Sequence, residues 1–318
     1  MQFGHLIYPL STKLFIEEYW QKRPLLVRDR DRDYYTSLIK MADIDRIIYS
    51  LQPDWKQLRL IKQGGFFPKS FMNPDGSPNL IKIYQAYQKG YSVILYGLEQ
   101  QLTPLSALAR NLEDFFNHAV RVDVFLTPSN SQALVPHFDG EDVLILQVEG
   151  TKHWRVYEPL PTDEFVAREL ADDTALPKDN LPPLAMDIWL EPGDLLYLPR
   201  GWGHEVSTGT CSSLQIGISV FIYTWSDLLS ALLSSLQREN IDFRRALPAG
   251  FLNEGKIKPE QLEELLQVLA EQANLDSAIE QLKMQLLART PNPLPNGDFQ
   301  RLERANLEAA LTRQIQGE

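Results

Sequence analysis

The chain has one cysteine, Cys211, in 318 residues, so no intrachain disulfide can form. That fits a reducing compartment, and a cytoplasmic location is the expectation. The lone thiol itself is expected to be a small buried apolar side chain. Also missing is any uncharged apolar run of roughly 18 residues, the length a membrane-spanning helix requires. The first residues hold no basic stretch leading into an apolar one, so no secretory signal is expected. Positive charge is in deficit: 31 Lys and Arg face 42 Asp and Glu, a formal net charge of −11. An acidic surface argues against broad, charge-driven binding of nucleic acid and suits a basic protein partner. No internal repeat is found.

What is present is an ordinary globular composition, 44% hydrophobic and 23% charged. The length suits one large domain plus a smaller one. Residues 11–52 read as mainly helical. Ser11 or Thr12 is placed to cap a first helix with Leu14, Phe15, Tyr19 and Trp20 on its apolar side. Pro24 should end it, and Leu25, Leu26 and Val27 read as a short strand. A second helix is expected through Tyr34, Leu38 and Ile39, and a third from near Asp43. The Gly- and Pro-rich residues 53–80 read as strands and loops. A strand over 91–96 and a helix from Thr103 or Pro104 to Phe116 follow. The centre is β-rich, with strands expected at 121–126, 143–148, 154–157, 188–190, 195–198 and 214–222. Many short strands broken by Gly and Pro turns indicate a sandwich or barrel. Residues 161–185 read as a long insertion. After Trp225, the Leu-, Gln- and Glu-rich segments 226–237 and 259–289 carry helical periodicity.

The chemistry centres on Pro136-His137-Phe138-Asp139-Gly140. Side chains two apart on a strand leave the same face, so His137 and Asp139 point together. His204, after the turn, strand and loop of residues 193–203, supplies a third donor. In a closed two-sheet roll, distant strands face each other across the interior. Two imidazoles and one carboxylate on one face of an ion are the facial triad of non-haem Fe(II) oxygenases, which leaves positions open for a chelating co-substrate and O₂. A His-x-Asp pair alone is a weak signal, since a solvated His beside a turn-forming Asp gives the same text. The apolar strand after it and the rigid presentation of His204 strengthen the reading.

Three stretches, 136–139, 146–157 and 193–204, together with the opening helix 15–27, resemble the JmjC ribosomal oxygenases. The resemblance covers most of residues 10–225. It implies a mainly β fold with α: a double-stranded β-helix (cupin/JmjC barrel) with an N-terminal α/β cap and a C-terminal helical dimerisation region. It divides the chain into an oxygenase domain over 1–225, a dimerisation region over 226–290, and a linker with a terminal helix over 291–318. The winged helix of relatives is expected to be absent or truncated. The implied activity is an Fe(II)- and 2-oxoglutarate-dependent dioxygenase that hydroxylates a protein side chain, with a ribosomal protein as the substrate class and a homodimer as the assembly. His137, Asp139 and His204 match the iron ligands. Lys152 matches the basic residue that pairs with the distal carboxylate of 2-oxoglutarate, and Ser219 and Thr127 are hydroxyl candidates near it. Phe125 departs from relatives that carry a Tyr there. Asp123 stands near a family Asn, where a carboxylate needs pairing or must point away.

Other readings stay open. The same iron chemistry could act on a small molecule or RNA, and a non-catalytic cupin-like binding module would use the barrel for docking. His153 should face outward, and His5 and His118 are expected to be structural. Trp154 and Trp189 are expected in the core, Trp202 either contacts substrate or packs in the core, and Arg200 sits at the site mouth or in a solvated loop. Residues 28–33, alternating Arg and Asp, read as a solvated charged turn.

Overall fold

The computed structural model describes residues 1–51, 56–162, 165, 174–253 and 256–289. The linker and helix expected over 291–318, and part of the insertion at 161–185, lie outside the described residues. The chain forms two compact units, one holding Met1–Phe116 and Val120–Phe221, the other Asn117–Ala119 and the segment that starts at Ile222.

The first unit is built on two antiparallel sheets. In chain order the strands are β1 (Leu25–Val27), β2 (Leu58–Lys62), β3 (Gly65–Phe66), β4 (Ser92–Leu95), β5 (Ala119–Thr127), β6 (His137–Phe138), β7 (Asp142–Glu149), β8 (Lys152–Tyr157), β9 (Leu184–Leu190), β10 (Leu195–Leu198), β11 (Gly203–Ser207) and β12 (Ser213–Phe221). Eight pair in the order β1-β10-β7-β12-β5-β4-β2-β3, and four in the order β6-β11-β8-β9. The N-terminal strands thus extend the same sheet that carries β7 and β12. The chain crosses from the small sheet to the large one between β6 and β7 and again between β9 and β10, and returns between β7 and β8 and between β10 and β11.

An apolar layer joins the sheets. Ile145, Leu196 and Leu198 from the large sheet pack with Trp154, Val156 and Leu190 from the small one, all at 3% exposure or less. Burying each such side chain contributes about 1.5–3 kcal/mol. On the outer side, Phe15 meets Tyr197 of β10 edge-on, with ring centroids 4.9 Å apart, and Trp20 stacks on Phe116 at 4.5 Å. Phe15 comes from the helix Thr12–Glu18, whose cap is Ser11: its hydroxyl accepts the Leu14 N–H at 3.2 Å. A helix covers Thr103–Phe116 with Leu105, Leu108 and Leu112 buried along one face, as its periodicity predicts. Between β7 and β8, Gly150 has φ +66°, and a Cβ there would lie 1.9 Å from the Ser212 carbonyl oxygen, so only glycine fits this turn.

Two expectations fail. Tyr34–Leu38 form turns and Ile39 follows in irregular backbone, not a helix. The Thr36 hydroxyl donates to the Asp33 carbonyl at 2.9 Å, a local bond that competes with helix formation. Tyr35 is 1% exposed and hydrogen-bonded by the Arg30 guanidinium. Arg30 also donates to the carbonyls of Leu6 and Tyr8, the latter at 2.7 Å, and Arg28 to that of Trp189 at 2.9 Å. The Arg/Asp run is therefore a clamp on backbone carbonyls and not simply a solvated turn.

In the second unit, helices span Trp225–Glu239, Pro259–Gln272 and Leu275–Arg289. A capping box opens the first: Thr224 accepts the Asp227 N–H while Asp227 accepts the Thr224 N–H. Ser235 and Ser277 hydroxyls meet at 2.8 Å, and Ala231, Leu236 and Ala278 are buried. Many large apolar side chains remain outside, Leu262 at 56% and Leu266 at 54% exposure among them.

Candidate active site

Period-two alternation aims one face of each central strand into a cavity of about 180 Å³ between the sheets. Strand β5 contributes Arg121, Asp123, Phe125 and Thr127; β12 contributes Gln215, Gly217 and Ser219; β8 contributes Lys152 and Trp154. His137, Asp139 and His204 line the same cavity, so all six residues singled out from the sequence as site candidates converge there.

At one end lie the three donors, each offering one ligand atom, all within 4.8 Å of one another. His137 and His204 are cross-strand partners in the β6–β11 pair, which fixes their rings side by side. Asp139 Oδ1 is 3.7 Å from His137 Nε2, and Oδ2 is 3.6 Å from His204 Nε2. Each imidazole also faces a carbonyl two residues upstream: His137 Nδ1 lies 2.8 Å from Val135 O, and His204 Nδ1 lies 3.3 Å from Trp202 O. A carbonyl only accepts, so both rings carry the proton on Nδ1 and turn the Nε2 lone pair toward Asp139. Burial, with His137 beside it, lowers His204 to about 4. It is thus neutral at physiological pH, the form a metal requires. Trp154 stacks on the His204 ring at 5.5 Å. Two nitrogens and a carboxylate, open to a cavity on the far side, fit a first-row divalent metal with free coordination positions.

The other end is cationic. Lys152 is 4% exposed, and burial lowers it to about 7. No carboxylate among the described residues pairs with it; its ammonium lies 5.6 Å from the centre of the Phe125 ring. The Thr127 hydroxyl oxygen and Gln215 Oε1 are buried without a hydrogen-bond partner among the described residues. An unpaired buried ammonium and an unsatisfied hydroxyl that line one cavity make a place that an anionic ligand would complete. Asp123 does not spoil it: Arg121 Nε bonds both carboxylate oxygens, at 2.9 and 3.1 Å, and the Gly97 N–H donates to it at 3.0 Å. Gly217 gives Phe125 its room, since a Cβ there would sit 3.0 Å from the ring.

Sequence reasoning passed over Tyr96, Arg121 and Gln215 as lining residues. The parity of β5 and β12 carried the signal for the last two, because Arg121 shares a face with Asp123 and Gln215 with Ser219. His153 does face away from the cavity, stacked on Trp189 at 4.8 Å and bonded to Asp187 at 2.5 Å. Trp189 is not core: it is 46% exposed. Cys211 is exposed too, in the turn before β12 and in contact with the Thr151 hydroxyl at 3.3 Å. Trp154 is buried as expected, and Trp202 packs against the inter-sheet layer.

Residues 98–228 match the JmjC domain. The expected cupin/JmjC-type fold of mixed α and β content is what the chain has. The resemblance to ribosomal oxygenases holds as well. The chain is 30% identical over 300 residues to ribosomal oxygenase 1 of Danio rerio, covering 88% of this chain and 54% of that protein. It is 32% identical over 258 residues to ribosomal oxygenase 1 of Homo sapiens, covering 79% and 40%. Among solved structures, the ribosomal oxygenase YcfD from Escherichia coli, in complex with cobalt and 2-oxoglutarate, superposes with a TM-score of 0.58 at 17% identity, covering 90% of this chain and 73% of that one. That likeness concerns the fold. The chain spans about half the length, or less, of these curated relatives.

Proposed function

We propose that this chain is an Fe(II)- and 2-oxoglutarate-dependent dioxygenase that hydroxylates a protein side chain, acting in the cytoplasm with a ribosomal protein as substrate. The observation that carries the reading is the pairing of two features in one cavity. Three metal donors converge within 4.8 Å, and a buried Lys152 without a carboxylate partner faces the same space. His137, Asp139 and His204 would hold the iron. Lys152 would bind the distal carboxylate of 2-oxoglutarate as a charged donor, with Thr127 and Ser219 offering hydroxyls nearby. Iron bound there, together with 2-oxoglutarate, supplies the activation of O₂ for hydroxylation. The chain does the rest. Asp139 contributes the negative charge that favours a cation, and the Nδ1 protons of both histidines keep the rings aimed. Trp154 and the inter-sheet layer exclude water. Arg121 pairs with the Asp123 carboxylate.

We further assign residues 1–225 to the oxygenase domain with its N-terminal cap, and 226–290 to dimerisation. The exposed leucines of the helical unit support the second assignment, since exposed apolar patches mark contact surfaces. Leu262→Glu with Leu266→Glu should convert a sedimenting dimer to monomer; an unchanged mass would remove the assignment. For the activity, the full chain is incubated with Fe(II), 2-oxoglutarate, ascorbate and ribosomal proteins. The expected product is one ribosomal side chain heavier by a single oxygen atom, formed with wild type and absent with His137→Ala. No oxygen added to any ribosomal protein, with 2-oxoglutarate bound normally, would redirect the reading to another substrate class.

A further inference from the structure

The two sheet crossings that deliver the metal donors are tied together by a residue outside the donor set. Asp139 follows β6, and the chain then crosses to the large sheet and enters β7 at Asp142. His204 lies on β11, reached from β10 through Pro199, Arg200, Gly201 and Trp202. These crossings run side by side. The Gly201 N–H donates to the Asp139 carbonyl at 2.9 Å, and the Arg200 N–H donates to Asp142 Oδ1 at 3.0 Å. The same carboxylate accepts the Tyr197 hydroxyl and the Gln21 side-chain amide. Gln21 closes the circuit, its N–H donating to the Tyr197 oxygen at 3.0 Å.

Asp142 is 0% exposed, so its carboxylate is a costly group to bury. Three donors from three separate segments converge on it: the second crossing, β10 and the stretch after the first helix. Gly201, at φ +81°, makes the sharp turn in that crossing just after the tethered amide. Without the carboxylate, the Arg200 amide and the Tyr197 hydroxyl lose their acceptor, and the crossing loses its bond to the first residue of β7.

We propose that Asp142 is the positioning residue of the metal site. It locks the β10–β11 crossing to the β6–β7 crossing, so that His204 Nε2 meets Asp139 and His137 at binding distance. The inference rests on His137, Asp139 and His204 being metal ligands, as proposed above. Asp142 is not among the residues that line the cavity. It acts through the backbone that carries Asp139 and His204.

The test uses the full chain with Co(II) as probe, read by calorimetric affinity and by the visible ligand-field spectrum. Asp142→Ala should weaken Co(II) binding by about tenfold or more, the size of effect that outer supports of metal sites produce, and should change the spectrum. Asp142→Asn, which keeps an oxygen for the Arg200 amide, should stay much closer to wild type. Leu108→Ala, in a buried helix away from the cavity, should lower Tm without moving affinity or spectrum. Wild-type affinity and spectrum in Asp142→Ala would overturn the proposal, as would a loss matched by Leu108→Ala at equal Tm. If Asp142→Ala does not fold, Arg200→Pro removes the amide donor and keeps the carboxylate, with the same expected loss. A wild-type chain that binds no Co(II) would overturn the ligand assignment and this inference with it. Unchanged binding in the variants alone sinks only the role of Asp142.

Discussion

The two ends of the cavity are finished differently. At the metal end the protein satisfies its own side chains: each histidine Nδ1 has its carbonyl, and Gly201 and Arg200 tie the crossings. At the cationic end Lys152 has no anion, and the Thr127 and Gln215 oxygens have no partner among the described residues. The first end is organised before anything binds. The second is left for a ligand to complete, because an anion would offset the solvation that burial removed from Lys152. Loss of a donor at one end and loss of the cation at the other should therefore separate cleanly.

The largest effect is expected at the metal end. His204→Ala should lower Co(II) affinity by well over the ~100-fold that loss of an outer support costs, measured by calorimetry, and 2-oxoglutarate binding should fail with it. Near-wild-type metal binding would mean the donors do not act together. Next, Lys152→Ala should weaken 2-oxoglutarate by about 100-fold, as expected when a buried charge-assisted bond worth some 2–3 kcal/mol is lost, while Co(II) affinity holds. If both fall together, the ends are not independent.

The third prediction concerns pH. Without ligand, burial holds Lys152 near 7. A bound carboxylate favours the ammonium and raises that value, so binding above pH 7 takes up a proton. Affinity for 2-oxoglutarate should then fall as pH rises above 7, by up to about tenfold per pH unit, and level off below it. Lys152→Arg should flatten the profile, since a guanidinium stays charged. A wild-type profile that is already flat between pH 7 and 9 would show that Lys152 is not the partner. The smallest effect belongs to Phe125→Tyr. Its added hydroxyl gains one donor near the same end and should shift 2-oxoglutarate affinity by no more than about 1 kcal/mol.

Much of this site could be read before the fold was known, for reasons that particular residues make plain. His137, Lys152 and Ser219 sit on strands, where parity decides which way a side chain points, and Asp139 lies one residue past the end of β6. His204 was legible because the loop before it has the Gly and Pro residues of a constrained corner. The helix over Thr103–Phe116 came straight from its apolar spacing. What failed depended on tertiary partners. Tyr34–Ile39 have helical spacing, but Arg30 captures the Tyr35 hydroxyl and ties it to the carbonyls of Leu6 and Tyr8. Whether Asp123 would repel an anion hinged on Arg121, two residues away on the same face. Asp142 drew no notice at all, since its three donors come from residues 21, 197 and 200, and no local pattern joins them. Cys211 and Trp189 look like core by residue type and are exposed.

The central claim is one cavity with a metal at one end and an anionic co-substrate at the other. Its most direct test is anaerobic addition of Fe(II) and then 2-oxoglutarate to the metal-free chain, followed by visible absorbance. The account predicts a weak charge-transfer band of the chelate that needs both components. His137→Ala should abolish it, and Lys152→Ala should form it only at much higher 2-oxoglutarate. No band in the wild type at saturating concentrations of both would contradict the account and favour a barrel that binds without catalysis.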